Sequence, residues 1–163
     1  MEIAKPRIRK IDGQIRFLSK YFLKKSDRLM HGAEIFSAYL NCQPKFIVDI
    51  DAQRMTRDFI TFQFITDSIE FVFPNQKEPI LNSFFQMLVL DALIGNKDRH
   101  FYNYGVIVDI KGKKQPKFSP IYDTARGLFW NEGEESLINK YYSKGVIKET
   151  KLDKYINKSI PKI

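Results

Sequence analysis

The most informative segments of this chain are GNKDRHFYN at residues 95–103 and PIYD at residues 120–123. Between them, residues 104–110 and 116–121 have the composition of two strands, and the Lys-Gly-Lys-Lys sequence at 111–114 predicts the turn that joins them. If these strands pair antiparallel, Asn103 lies beside residues 121–123 at one end of a hairpin. The sequence therefore predicts that Asn103 and Asp123 are spatial neighbours.

The side chains at this end of the predicted hairpin have the chemistry of a hard-cation site. An amide oxygen from Asn103 and a carboxylate from Asp123 suit Mg²⁺, because this ion keeps several waters and takes further oxygens from substrate phosphates. Asp98 precedes Asn103 on the same loop, close enough to face a substrate hydroxyl. A loop Asp for the hydroxyl proton, a loop Asn for metal and a later Asp for metal are typical of phosphoryl transfer in kinases.

The two segments together resemble the HipA-like serine/threonine kinases, the toxin-type kinases of bacterial toxin–antitoxin modules. In that family the catalytic loop has Asp and His separated by one residue and Asn five positions beyond the Asp, and the metal Asp lies in a Pro-x-Tyr-Asp strand. Three further segments extend the resemblance over nearly the whole chain. FLSKYFL at 17–23 resembles the hinge strand, LMHGAE at 29–34 the first helix of the C-lobe, and YINKSIPKI at 155–163 a segment before the family's C-terminus.

The resemblance implies ATP- and Mg²⁺-dependent transfer of a phosphoryl group to a Ser/Thr hydroxyl of a protein. It makes Asp98 the catalytic proton acceptor, and Asn103 and Asp123 the magnesium ligands. The residues implied in nucleotide binding are Ser19, Lys20 and Tyr21 at the hinge, His100 near the phosphates, and Tyr122 with Asp123. A protein substrate and an antitoxin are the partners that it implies.

The same resemblance implies an α+β fold, namely a protein-kinase-like C-terminal lobe that is mainly helical and carries a catalytic-loop β-hairpin. Residues 1–25 would be a small remnant of the N-lobe β-sheet with the hinge, and residues 26–163 a C-lobe that is incomplete at its C-terminus. Family members are longer, and their N-lobe supplies a phosphate-binding loop and a lysine. No Gly-rich or Walker-type stretch occurs here, since the eight glycines are scattered. A polypeptide that carries the missing N-lobe is therefore a further expected partner.

Composition excludes several other classes of protein. The 163 residues, of which 44% are hydrophobic, fit one domain with a sizeable core. Cys42, His31 and His100 are the only Cys and His residues, too few for a disulfide framework or a structural Cys/His zinc site. No apolar run is long enough to span a bilayer, so no membrane association is expected. A lone cysteine fits a reducing compartment, and a cytoplasmic location is expected.

The net charge of +8 does not indicate nucleic-acid binding, because of how the charge is distributed. Residues 1–30 carry nine Lys/Arg against three Asp/Glu, and residues 139–163 carry seven against two. The centre, residues 31–138, is acidic, with eleven against fourteen. Nucleic-acid-binding proteins usually concentrate positive charge on one recognition face with interleaved aromatic residues, so no direct nucleic-acid contact is expected.

Local patterns predict the remaining elements. Residues 7–16 followed by 17–23 predict a short hairpin, and Asp12-Gly13 is its turn signal. Ser26 or Asp27 is a candidate N-cap for a helix through residues 29–40. Residues 52–72 are a longer helical candidate. A buried helix is expected from Pro79 to Gly95, and another helix over residues 134–142.

Each candidate residue also has a plain structural interpretation. Asp98 and Asp123 are common types at turns, His100 could make a hydrogen bond within its loop, and His31 is more typical of a packed or capping residue. At the level of the whole chain, two alternatives stay open. One is a non-catalytic interaction module or pseudokinase remnant, which the missing phosphate loop favours. The other is a phosphoinositide-type lipid kinase, whose metal Asp normally lies in Asp-Phe-Gly, whereas Thr124 follows Asp123.

Overall fold

The structure is a computed structural model that describes residues 2–53, 55, 60–96, 98–124, 126–127, 133–143 and 146–147. The strands are β1 (Pro6–Ile11), β2 (Gln14–Ser19), β3 (Asp27–His31), β4 (Gly105–Asp109), β5 (Lys117–Phe118), β6 (Tyr142–Ser143) and β7 (Val146–Ile147). The helices are α1 (Gly32–Leu40), α2 (Pro44–Ala52), α3 (Phe62–Val72), α4 (Lys77–Ile94) and α5 (Glu134–Tyr141), with a 3-10 turn at Pro74–Gln76. No helix within these ranges is long and apolar enough to cross a membrane.

The hydrophobic core lies where α1, α3 and α4 meet the sheet that contains β4. Its fully buried apolar side chains come from α1, α2, α4 and β4, and they are Phe36, Ile47, Ile80, Met87 and Val106. Helix α3 adds Ile65 and Ile69, which are also buried. Aromatic rings meet edge to face in this core: Phe36 of α1 packs against Phe64 of α3 at 5.3 Å between ring centroids, and against Phe101 of the polar loop at 5.5 Å. The core therefore packs directly beneath the polar loop at residues 95–103.

Helix α4 is the longest element, and it ends where that loop begins. Pro79 lies in its first turn, as expected. Gly95 ends the helix in the left-handed conformation with φ of 64°, and its N–H donates to the carbonyls of Asp91 and Ala92. The predicted helix from Pro79 to Gly95 is confirmed.

Three antiparallel strands in the order β3-β4-β5 form the sheet beside the core. The predicted hairpin is confirmed, since Val106 pairs with Phe118 and Ile107 with Lys117. A Cβ added at Gly105 would lie 2.4 Å from the carbonyl oxygen of Met30, so only glycine lets β3 and β4 approach this closely.

The first hairpin, β1–β2, is also confirmed, with Asp12 and Gly13 at its turn in positive φ. Its base is joined to the segment that follows β5 by a parallel bridge between Ile3 and Ile121. The Ala4 N–H donates to the Ile121 carbonyl at 2.9 Å, and the Ile121 N–H donates to the Glu2 carbonyl at 2.8 Å.

Two helix predictions need correction. Neither Ser26 nor Asp27 caps α1, because Asp27 begins strand β3 and its carboxylate accepts the Lys24 N–H within a turn. His31 is the N-cap instead, and its backbone N–H donates to the Glu34 carboxylate at 2.9 Å. Long-range pairing of β3 with β4 outweighs the local capping signal here.

The predicted helix over residues 52–72 forms only in its second half. Helix α2 ends at Ala52, and α3 begins after Thr61, whose hydroxyl accepts the Phe64 N–H at 3.2 Å. Residues 54 and 56–59 lie outside the described part. The returning strand at 116–121 is likewise shorter than predicted, because Ile121 pairs with Ile3 rather than with β4.

Candidate active site

Arg99 joins the polar loop to the Tyr-Asp segment that follows the hairpin. Its Nη1 donates to the backbone carbonyl of Asn103 at 2.6 Å and to that of Tyr122 at 2.7 Å. One guanidinium nitrogen thus binds both segments, and it holds the backbone of Asn103 next to the residue before Asp123. The register of β4 with β5 brings the same two segments together independently.

A buried carboxylate at the end of α4 holds Arg99 in place. The two oxygens of Asp91 accept from Arg99 Nε at 2.7 Å and Nη2 at 2.8 Å, a bidentate pair. Asn96 Nδ2 donates to Asp91 Oδ1 at 2.8 Å as a third partner. The side chains of Asp91 and Arg99 are only 1% and 7% exposed. The loop is therefore anchored to the helix by an ion pair that solvent hardly reaches.

Sequence reasoning assigned no role to Asp91, Asn96 or the Arg99 side chain. A signal was present, because Asp91 is the single charged residue in the otherwise apolar run at residues 88–94. A carboxylate in a deeply buried helix must have a partner, and the nearby arginine of the loop is the obvious one.

Asp98 is held by its backbone and is partly open to solvent through its side chain. Its carbonyl accepts from Asn103 Nδ2 at 2.8 Å, and its N–H donates to Asn96 Oδ1 at 3.3 Å. Its carboxylate makes two contacts of 3.2 Å with Arg126 Nη1 and Nε. The loop backbone thus fixes where Asp98 lies, while an exposed arginine, which no motif had indicated, covers its carboxylate.

The turn that carries Arg126 is packed closely onto the end of α4. The Gly127 N–H donates to the Thr124 carbonyl at 3.1 Å, which closes the turn. A Cβ at Gly127 would lie 2.9 Å from Ile94 Cδ1 and 3.3 Å from the Ile94 carbonyl oxygen. A side chain at position 127 would therefore require Ile94 or the turn itself to shift.

Asn103 and Asp123 have a donor set that fits Mg²⁺. Asn103 is buried, and because its Nδ2 binds the Asp98 carbonyl, its Oδ1 is the atom that can act as a ligand. Asp123 is exposed and has φ of 53°, an uncommon conformation for a residue other than glycine. Amide and carboxylate oxygens are hard ligands of the kind that Mg²⁺ prefers. Among the described residues, no group of three or more His, Cys, Asp and Glu could hold a metal by itself.

Tyr122 and His100 make hydrogen bonds within the site. The Tyr122 hydroxyl donates to the Tyr102 carbonyl at 2.9 Å and lies 3.4 Å from His31 Nδ1. Burial raises the pKa of Tyr122 to about 12, so the phenol stays neutral at ordinary pH. His100 Nδ1 accepts the Tyr102 N–H at 3.3 Å, which agrees with the structural alternative considered for it.

The predicted hinge residues lie at the end of β2, beside a cleft of about 620 Å³. Lys20 and Tyr21 line this cleft opposite Pro120, and Ser19 is the last residue of β2. The ring of the next residue, Phe22, packs against Tyr122 with 5.5 Å between centroids. The hinge segment and the Tyr-Asp segment therefore adjoin one another, with the cleft at their junction.

A solved structure with this arrangement of elements is the Helicobacter pylori proinflammatory kinase CtkA. It superposes on 96% of this chain with a TM-score of 0.66 at 16% sequence identity. The chain has a kinase-like fold. It spans half the length of the CtkA chain. No protein-family model matches the sequence, and the search of curated proteins gave no significant match.

Proposed function

We propose that this chain is the catalytic C-lobe of a HipA-like serine/threonine kinase, which transfers the γ-phosphoryl group of ATP to a protein hydroxyl. The observation that carries the proposal is Arg99, which binds the carbonyls of Asn103 and Tyr122 at once. Through this contact the loop that contains Asp98 and Asn103 adjoins the segment that contains Asp123. A proton acceptor and two hard oxygen ligands around one loop are what phosphoryl transfer requires.

In this proposal, Asp98 orients the substrate hydroxyl and accepts its proton. Arg126 covers the Asp98 carboxylate here, so it must give way when a hydroxyl binds. Asn103 and Asp123 would hold Mg²⁺, which neutralises phosphate charge during transfer. Lys20 and Tyr21, which line the cleft beside the hinge segment, would contact the adenine together with Ser19. His100 and Tyr122 would lie nearer the phosphates.

The proposal includes a second polypeptide region that supplies an N-lobe. The chain contains no Gly-rich loop, and it spans half the length of CtkA. Kinase catalysis depends mainly on positioning and on electrostatic stabilisation of the triphosphate, and both need contacts to the α- and β-phosphates. A toxin–antitoxin setting, an antitoxin partner and a cytoplasmic location belong to the proposal through the family resemblance alone.

A non-catalytic interaction module is the second candidate, and hairpin β1–β2 favours it. All twelve residues of its two strands are exposed, and such an uncovered hairpin is more typical of a surface that binds a partner than of a complete catalytic lobe. A phosphoinositide-type lipid kinase is less favoured, because Thr124 rather than Phe follows Asp123.

The two candidates differ in whether purified chain 1–163 gains transferase activity when an N-lobe polypeptide is added. Alone, we expect it to release phosphate from ATP several orders of magnitude more slowly than a complete kinase, because each missing phosphate contact is worth about 2.7–4 kcal/mol. Adding the polypeptide encoded upstream, if one is encoded, should restore transfer to serine or threonine. Efficient turnover by the chain alone would contradict the need for an N-lobe. No transfer in any combination would favour the interaction module.

A further inference from the structure

Hairpin β1–β2 has one apolar face that nothing covers within the described part of the chain. The register pairs Ile8 with Phe17 and Lys10 with Ile15, so these side chains share a face. Ile8, Ile15 and Phe17 are 74%, 78% and 70% exposed. Two-stranded hairpins are marginally stable in water unless a third strand or a packed layer covers them. This face is therefore suited to a partner.

The opposite face of the hairpin is strongly basic. Arg9 pairs directly with Arg16, and Arg7 lies next to them on the same face opposite Leu18. Like charges directly opposite one another across a ladder are destabilising, and a carboxylate placed beside them would relieve this. Since residues 1–30 carry a net charge of +6, a second copy of this chain would add repulsion here. The charge favours an acidic occupant.

The backbone of β2 offers the better edge for such an occupant. The Lys20 N–H donates to the Lys5 carbonyl, so residues 5 and 20 form a hydrogen-bonded pair. Because such pairs alternate with non-hydrogen-bonded pairs along an antiparallel ladder, the next hydrogen-bonded pairs are 7↔18, 9↔16 and 11↔14. The N–H groups of Ile15, Phe17 and Ser19 consequently point outward from β2. On β1 the corresponding series includes Pro6, which has no N–H to donate. No other strand in the described ranges pairs with β2.

We propose that the outer edge of β2 binds an extended acidic segment of another polypeptide, which adds a third strand to the hairpin. Side chains alternate along a strand, so a segment of alternating apolar and acidic residues satisfies both faces. Its apolar residues cover Ile15 and Phe17, and its carboxylates lie beside Arg16. This inference does not depend on phosphotransferase activity.

Strand addition at β2 also reaches the candidate active site through the base of the hairpin. Glu2 and Ala4 exchange backbone hydrogen bonds with Ile121, two positions before Asp123. If the bound segment orders the hairpin, the hydrogen bond from the Ile121 N–H to the Glu2 carbonyl opens less often, and the exchange of this amide hydrogen slows. Slower amide hydrogen exchange at Ile121 therefore reports binding at the β2 edge, although Ile121 itself lies away from the bound segment.

The test uses chain 1–163 and two labelled seven-residue peptides, one alternating glutamate with valine and the other alternating lysine with valine. The glutamate peptide should bind at least about tenfold more tightly than the lysine peptide, because its carboxylates attract the arginines of the basic face whereas lysines repel them. Its binding should slow amide exchange at Ile15, Phe17, Ser19 and Ile121. Equal affinity for the two peptides would overturn the proposal.

Matched variants separate the two edges of the hairpin. Phe17→Pro removes an outward N–H of β2 at a pair that is not hydrogen-bonded, so the β1–β2 ladder keeps its bonds, and binding should be lost. Ile8→Pro makes the same change on the β1 edge and should leave binding intact. Arg16→Glu, which needs no backbone change, should reverse the preference between the peptides. Equal loss in both proline variants, or a dimer of the chain that excludes the peptide, would overturn the assignment to β2.

Discussion

Asp98→Ala should lower the rate of phosphoryl transfer by about 10²–10⁴-fold while nucleotide affinity stays within about twofold, because the role proposed for Asp98 is on the hydroxyl and not on the phosphates. Its carboxylate is partly exposed and pairs only with exposed Arg126 among the contacts described, so its removal should not unfold the chain. Asp123→Ala should lower both the transfer rate and the affinity for Mg²⁺-nucleotide, because a metal ligand also holds the phosphates.

The measurement is γ-phosphate transfer by the chain together with the proposed N-lobe polypeptide, alongside titration calorimetry with Mg²⁺-ADP. Glu78→Gln is the control, because Glu78 is an exposed carboxylate at the opposite end of α4 from the loop. It should change neither quantity. Near-normal transfer by Asp98→Ala would show that the proton acceptor has been assigned to the wrong residue.

Arg99→Met should be the most destabilising single substitution in the loop, by about 3–5 kcal/mol in the free energy of unfolding. The change leaves the Asp91 carboxylate buried without its cationic partner and frees the carbonyls of Asn103 and Tyr122. Small domains are stable by only about 5–15 kcal/mol, so urea denaturation should show a much lower midpoint or no folded baseline.

Two comparisons distinguish this effect from a general loss of charge. The double variant Asp91→Asn/Arg99→Met removes the unpaired charge and should recover part of the stability. Lys77→Met removes an exposed ion pair with Glu70 and should cost about 0–1 kcal/mol. If Arg99→Met were no more destabilising than Lys77→Met, the Asp91–Arg99 pair would not be the anchor of the loop.

Several elements of this fold could be predicted from short stretches of neighbouring residues. Asp12-Gly13 predicted a turn that needs positive φ, and Gly95 predicted the end of α4, because both depend on a few adjacent residues. The β4–β5 hairpin was predictable for the same reason, and with it the proximity of Asn103 to Tyr122, whose carbonyls both accept from Arg99.

Features that depend on distant partners were missed. Asp27 looks like a helix cap in isolation, yet it begins a strand because β3 finds β4 nearly eighty positions later. Ile121 pairs with Ile3 from the other end of the chain. Arg126 pairs with Asp98 from a turn 28 positions further along the chain, a contact that no local pattern indicates. The Asp91–Arg99 pair lies between these cases, because a buried charge was visible in the sequence and its partner was not assigned.

The candidate metal site can be tested on chain 1–163 alone by the paramagnetic broadening that Mn²⁺-ADP causes in amide NMR signals, with Mn²⁺ in place of Mg²⁺. This measurement also detects weak binding. Both ions favour carboxylate and carbonyl oxygens. Broadening should centre on residues 98–104 and 121–124 and should disappear in Asp123→Asn. Signals from the N-terminal end of α4 should keep their intensity. Broadening centred on other carboxylates, or unchanged in Asp123→Asn, would contradict a metal–nucleotide site built from Asn103 and Asp123.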